Sequence, residues 1–308
     1  MTPMNRREFL TRSALVGASI TAAGRLVLPD ISSAATRNIL WGANCLPKAG
    51  QRNQQEAVQE MERRLGRRFD TAHFRMTWTV PLVNDFTRWS VASGHVPLLS
   101  WFTRKRSGGK VSWSSIARGD HDAWIRTQAV NLRATGWRGY FAFHKEPENE
   151  GNAAEWKAAY NRVHSIFDNV GVTGFKWLVT LTAATYGGAN GGPGAWLPFR
   201  WDILGVDGYN RNFCGRSNGW RSFEQVFGDA RNYARSRSKR LYIQEYGCVE
   251  ATSGQKAHWF DNARSVLKTW PEVMGVSYNH ENTDCNYWID SSTSSFNSFK
   301  NMGHDAYF

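Results

Sequence analysis

A chain of 308 residues can bury one large core, and a single α/β barrel occupies about 250 residues, so one domain behind a leader is expected. The formal charge of +12 and the aromatic content of 14%, with 15 tryptophans, leave a nucleic-acid surface and a carbohydrate cleft as competing readings. Lysine and arginine are scattered and form no single stripe; short clusters at Arg63 to Arg68 and Arg235 to Arg240 read as solvated helix faces, which sets nucleic acid aside as a partner.

Residues 1–35 read as a targeting segment. Asn5-Arg6-Arg7-Glu8-Phe9-Leu10 carries paired arginines, and Ser13 to Gly24 is a weakly apolar run rich in Ala, Ser and Gly, too short and too weak to span a membrane. The order resembles a twin-arginine export signal, with cleavage expected after Ala34 or Ala35. No cysteine follows the run, so no lipid anchor is indicated. The expected product is a basic, exported monomer, residues 36–308, with no membrane attachment once the signal is cut.

From Asn38 the chain alternates between short apolar runs and amphipathic stretches. Strands are expected near Ile39 to Ala43, His73 to Trp78, Val96 to Trp101, Tyr140 to Lys145, Phe175 to Leu181, Ile203 to Tyr209, Leu241 to Tyr246 and Val273 to Tyr278. Helical patterns lie between them at Gln54 to Leu65, Asp122 to Thr135, Ala153 to Asn169, Phe223 to Ser236 and Gln255 to Thr269, while the stretch before Ile203 has none. Asn152 with Glu155 reads as a capping box opening the third of these helices. Eight strands, each followed by enough chain for a right-handed crossover, predict a (β/α)8 TIM barrel in a single domain.

In such a barrel the active site lies at the C-terminal ends of the strands. Two runs end there in carboxylates: Phe141-Ala-Phe-His-Lys-Glu146, halted by Pro147, and Leu241-Tyr-Ile-Gln-Glu245. Alternation puts Ala142, His144 and Glu146 on the inward face of one strand, Ile243 and Glu245 on that of another, and Ile203, Gly205, Asp207 and Tyr209 on that of a third. Acidic side chains buried at three strand mouths are expensive unless paired or functional. A pair of carboxyl groups is what glycosidic cleavage requires: one protonates the departing oxygen, and the other, ionised, faces the oxocarbenium-like carbon. A separation of about 5 to 5.5 Å would give retention of configuration. Tyr209 is placed to donate to the nucleophile, and His144, Asp207 and Tyr209 are the polar candidates for substrate contact.

His144-Lys145-Glu146-Pro147-Glu148-Asn149, Gly205-Val206-Asp207-Gly208-Tyr209-Asn210 and Gln244-Glu245-Tyr246-Gly247, in that order, resemble glycoside hydrolase family 26, best known for β-mannanases of the retaining barrel clan. The resemblance runs over nearly the whole chain after the leader. It implies that Glu146 is the acid/base and Glu245 the nucleophile. The family often has His immediately before the acid/base, where this chain has Lys145, and a tryptophan-rich segment afterwards, where this chain has Pro147 to Ala154.

Replacement sugar-stacking aromatics are expected among Trp41, Trp78, Trp101, Trp196, Tyr246 and Trp288, which lie at or beyond strand ends. The glycine-rich loop from Gly187 to Gly194 lacks the lysine of a phosphate loop and reads as a cleft wall near Trp196. The eight histidines show no metal-ligand spacing, so no metal or cofactor is expected, and His73 and His280 read as structural. Four cysteines follow the first, sixth, seventh and eighth strands, and neighbourhood in a closed barrel predicts Cys45 with Cys285 and Cys214 with Cys248. The expected activity is retaining hydrolysis of a β-linked polysaccharide, β-mannan or β-glucan. A carbohydrate-binding barrel without catalysis, marked by Lys145 paired to Glu146, and a glycosidase of a neighbouring barrel family are the alternatives.

Overall fold

The computed structural model describes residues 38–215 and 219–308; the leader read in residues 1–35 lies outside them. Eight parallel strands close in sequence order into one barrel: β1 Leu40–Cys45, β2 Thr71–Met76, β3 Val96–Trp101, β4 Gly139–Phe143, β5 Phe175–Thr182, β6 Ile203–Asn210, β7 Leu241–Cys248 and β8 Val273–His280. Every strand pairs with the next round the sheet, with register shifts where β7 meets β6 and β8, and β1 pairs with β8 over its whole length, from Leu40 opposite Gly275 to Cys45 opposite His280. The expected (β/α)8 architecture is the one found.

Among the described residues ten helices surround or cap the barrel: α1 Gln54–Leu65, α2 Asp85–Ala92, α3 Trp113–Arg118, α4 Asp122–Thr135, α5 Ala153–Val170, α6 Ala183–Tyr186, α7 Pro193–Trp196, α8 Phe223–Ser236, α9 Gln255–Leu267 and α10 Thr293–His304. Their ends follow local chemistry. Asn53 caps α1 by accepting from the Glu56 N–H, and Gly66 ends it in the left-handed conformation that glycine adopts without a Cβ penalty. A reciprocal box of Ser222 and Gln225 opens α8.

The barrel interior is filled at its lower end by Leu98, Tyr140, Ala142, Leu178, Ile203 and Tyr242. Aromatic layers seal the strand–helix interface: Trp41 packs between Phe69 and Phe299, and Phe141 against Phe167 and Trp177. Gly205 lets β5 and β6 approach, since a Cβ there would stand 2.0 Å from Thr180 Oγ1.

Tyr242 lies in the interior cluster, which puts Ile243 on the outer face, opposite to the alternation expected for β7. A bulge corrects the parity further along. Val206 pairs with Ile243 and Asp207 with Glu245, so Gln244 is the extra residue, and both Gln244 and Glu245 turn inward. Glu245 therefore reaches the mouth by a bulge and not by simple alternation.

The cysteine pairing also differs. Cys214 bonds Cys285, while Cys45 and Cys248 are free and buried. Both expected bridges are corrected. Strand adjacency located all four cysteines near the rim, but Cys214 lies out on the loop after β6, from which it reaches the loop after β8.

Candidate active site

The chain leaves β4 through two residues in the left-handed region, His144 at φ 43° and Glu146 at φ 53°. Neither is glycine, and such conformations cost on the order of 1 to 3 kcal/mol each, a strain that recurs at functional sites. The kink reverses the expected order of faces. His144 turns away from the mouth: its Nδ1 accepts from the Thr103 N–H at 3.2 Å, its Nε2 meets Glu150 Oε2 at 3.2 Å, and its ring stands edge-on to Trp113. The expectation of His144 as a substrate contact is corrected to a buried support. Lys145 takes the inward place.

Lys145 is buried, with its Nζ 3.0 Å from Glu245 Oε1 and hydrogen-bonded to Asp207 Oδ2. Burial disfavours its charge, but Asp207 and Glu245 outweigh that and raise its pKa above the usual lysine value. Tyr209 OH donates to Glu245 Oε2 at 2.6 Å, and Asn279 Nδ2 donates to the Tyr209 oxygen at 3.1 Å. Arg75 Nη1 approaches Glu245 Oε1 at 3.7 Å while its other nitrogen holds Glu281. His73 Nδ1 stands 3.8 Å from the same Glu245 oxygen, and burial lowers its pKa to about 3, so the imidazole is neutral.

Burial pushes the Glu245 carboxyl up, but the charges of Lys145 and Arg75, aided by the Tyr209 hydroxyl, outweigh it and hold the pKa at about 2. Glu146 moves the other way. Burial is the largest cause, and the negative charges of Glu245 and Glu148 add to it against the pull of Lys145, so its pKa is raised. Asp207 is likewise pushed up, by burial first and then by the negative charges of Glu245 and Glu146. Burial and crowding of carboxyl groups thus favour a neutral acid at the mouth, while the cations favour an ionised Glu245.

Glu146 and Glu245 line one open cavity of about 490 Å³ at the C-terminal end of the strands, together with Arg75, Lys145, Asp207, Tyr209 and Glu281. Sequence reasoning found Glu146, Asp207, Tyr209 and Glu245. It missed Arg75, which shares the inward face of β2 with His73, and Glu281, the residue directly after β8; both were legible only as polar side chains at strand ends. Gln244 was missed because the bulge was. It donates to Ser100 Oγ at 2.6 Å and accepts from Thr180, forming the polar floor beneath the carboxylates.

The stacking aromatics expected from sequence lie elsewhere. Trp41, Trp101 and Tyr246 are fully buried behind the strands, Trp78 stacks on Trp101, and Trp196 binds the Asn190 carbonyl under α7. Trp288 packs against His280 and Lys48. None of the six lines the cavity, whose aromatic side chains are Phe102 and Tyr209. The glycine-rich loop folds into a short turn at Ala189–Gly191 and into α7, and it too stays out of the lining. His280 is structural, its Nδ1 accepting from the Ile289 N–H at 2.9 Å.

No family model matches the chain. An endoglucanase H from Acetivibrio thermocellus is 23% identical over 265 residues, covering 79% of this chain and 28% of that protein, so the chain spans less than a third of that relative's length. A family 26 β-mannanase from Bacteroides ovatus superposes with a TM-score of 0.59 at 14% identity, covering 90% of this chain and 91% of that one. A β-mannanase from a symbiotic protist of the termite Reticulitermes speratus, complexed with a gluco-manno-oligosaccharide, gives 0.59 at 14% over 88% and 89%. The fold is that of the family 26 β-mannanases. The likeness to family 26 proteins thus extends from the three sequence motifs to the architecture, and the carboxylates those motifs supply stand at the mouth of this barrel. The departure at Lys145 has a structural meaning within that fold, since this residue bridges Asp207 and Glu245.

Proposed function

We propose that the protein is a retaining glycoside hydrolase acting on a β-linked polysaccharide. Glu146 is the acid/base and Glu245 the nucleophile. The observation that carries this reading is the asymmetry of the pair in one cavity, with Lys145, Arg75 and Tyr209 favouring the ionised form of Glu245 and burial raising the pKa of Glu146. In the first step a Glu245 oxygen attacks the anomeric carbon, the glycosidic bond breaks, and the Glu146 proton passes to the departing oxygen. In the second, Glu146, now a carboxylate, removes a proton from water, whose oxygen displaces Glu245 and restores both groups. Tyr209 donates to one Glu245 oxygen and so orients the nucleophile.

A binding barrel without catalysis was expected to pair Lys145 with Glu146. Lys145 is instead committed to Asp207 and Glu245, which supports the hydrolase. The names of the relatives, β-mannanases and an endoglucanase, support a β-mannan or β-glucan backbone. The test is release of reducing ends from β-mannan, β-glucan and xylan by the purified protein, with Glu245→Ala and Glu146→Ala at background on the accepted substrate. Full activity in either variant, or no activity of the native protein on any glycan, contradicts the reading. We further propose that the protein works as a monomer outside the cytoplasm after twin-arginine export. Among the described residues no helix is long and apolar enough to cross a membrane. Cell fractionation of an Arg6→Lys, Arg7→Lys double variant tests export, which predicts that the variant stays in the cytoplasm.

A further inference from the structure

The hydrolase reading leaves the cavity rim unexplained. From the end of β3 the chain makes a small hairpin, with Arg104 bridged antiparallel to Lys110 and the Lys105 N–H donating to the Gly109 carbonyl at 3.0 Å. Its seven residues are all exposed and carry Arg104, Lys105, Arg106 and Lys110 with no acid. Arg104 lines the cavity beside Glu146. Lys110 is anchored at its edge by donating to the Glu150 carbonyl at 3.0 Å. A second recess of about 340 Å³ shares Arg75 with the cavity lining and has Arg106 among its own lining residues. Across the mouth, Arg221 also lines the cavity and donates to the Tyr209 carbonyl at 3.0 Å.

Among the described residues Lys105, Arg106, Lys110 and Arg221 have no carboxylate partner. Where the rim does pair, the cation is often the outer half: the Arg104 side chain is 64% exposed over a Glu150 that is 14% exposed, and Arg75 is 29% over 6% for Glu281. Three of the four unpaired cations cluster on the hairpin whose Arg104 lines the cavity, and the fourth, Arg221, lines it directly; like charges repel, and an anionic ligand relieves that repulsion. Among the described residues no indole lines the cavity, whose aromatic side chains are Phe102 and Tyr209.

We propose that the cleft is built for a β-linked glycan carrying uronic acid residues, whose carboxylates meet the rim cations of the 104–110 hairpin and Arg221. This rests on the hydrolase reading for turnover but not for binding. Guanidinium groups present paired N–H donors that match a carboxylate, and the rim offers Arg104, Arg106 and Arg221 with lysines between.

The experiment compares backbones matched except at C6, β-1,4-mannan with poly-β-1,4-mannuronate and β-1,4-glucan with β-1,4-glucuronan. Turnover is measured by reducing ends, and binding by retardation of the native protein in gels containing each polymer. The carboxylated member of one pair should be preferred on the order of tenfold at low ionic strength, with the gap closing as salt is added. Lys105→Ser, Arg106→Ser, Lys110→Ser and Arg221→Ser together should remove the preference. Lys176→Ser with Arg237→Ser, exposed cations away from the rim, should leave it intact. Retardation by the polyanion without turnover of any polymer would uphold this inference while ending the hydrolase reading. Turnover or binding of the neutral members that equals the carboxylated ones and ignores the rim substitutions would overturn it, as would retardation by neither.

Discussion

Lys145 sits where a single cation governs two carboxylates of opposite duty. It lies against Glu245 and also lowers the proton affinity of Glu146. Activity requires Glu245 ionised and Glu146 protonated. The acid limb of the pH profile should therefore follow Glu245 and persist down to about pH 2, while the alkaline limb follows Glu146 and lies above the usual carboxylate value. Lys145→Met removes a positive charge from both. Each carboxyl then holds its proton more tightly, so both limbs of kcat/KM against pH should move upward. The loss of positioning should cost about 10- to 100-fold in kcat. A profile that kept its limbs while only kcat fell would make Lys145 a packing residue. Tyr209→Phe tests the other restraint on Glu245: one donor to the nucleophile is lost and its pKa rises, so the acid limb should move up while KM changes little.

The loops that frame the cleft are tied at element scale by the Cys214–Cys285 bond, which joins the segment carrying Arg211 and Arg221 to the one carrying Glu281 and Asp284. Cys214→Ser with Cys285→Ser should lower stability by about 2 to 4 kcal/mol in denaturant titration. The free thiols of Cys45 and Cys248 are buried and their pKa values raised by that burial, so they should stay unreactive to a thiol reagent until unfolding. Thiol labelling of the native protein at once would contradict this. The strands and the longer helices were legible because apolar runs and amphipathic periods are long signals. Trp113–Arg118 was not, being too short for a period, and neither was Thr293–His304, whose Ser- and Asn-rich sequence has low helix propensity and is held by Phe299 and Met302 packing inward. Glu245 stands at the mouth, where it was expected, by another route: alternation fails at Ile243, and the bulge that restores it leaves no mark in the sequence. His144 and Lys145 exchanged faces because left-handed backbone at a non-glycine residue is not written in residue type.

At the scale of the whole molecule, the barrel brings residues from β2, β4, β6, β7 and β8 to one mouth, and every claim of mechanism depends on Glu146 and Glu245 having different roles there. The tryptophans that composition assigned to the cleft build the shell behind the strands, which explains a high aromatic content without a stacking platform in the cavity. The most direct test of the division of labour uses an activated β-glycoside with Glu146→Ala and Glu245→Ala in the presence of azide, and reads the anomer of the glycosyl azide by proton NMR. In Glu146→Ala the glycosyl-enzyme still forms on Glu245, so azide displaces it to give the β-azide. In Glu245→Ala azide takes the place of the missing nucleophile and gives the α-azide. The same anomer from both variants, or rescue of neither, would contradict the account.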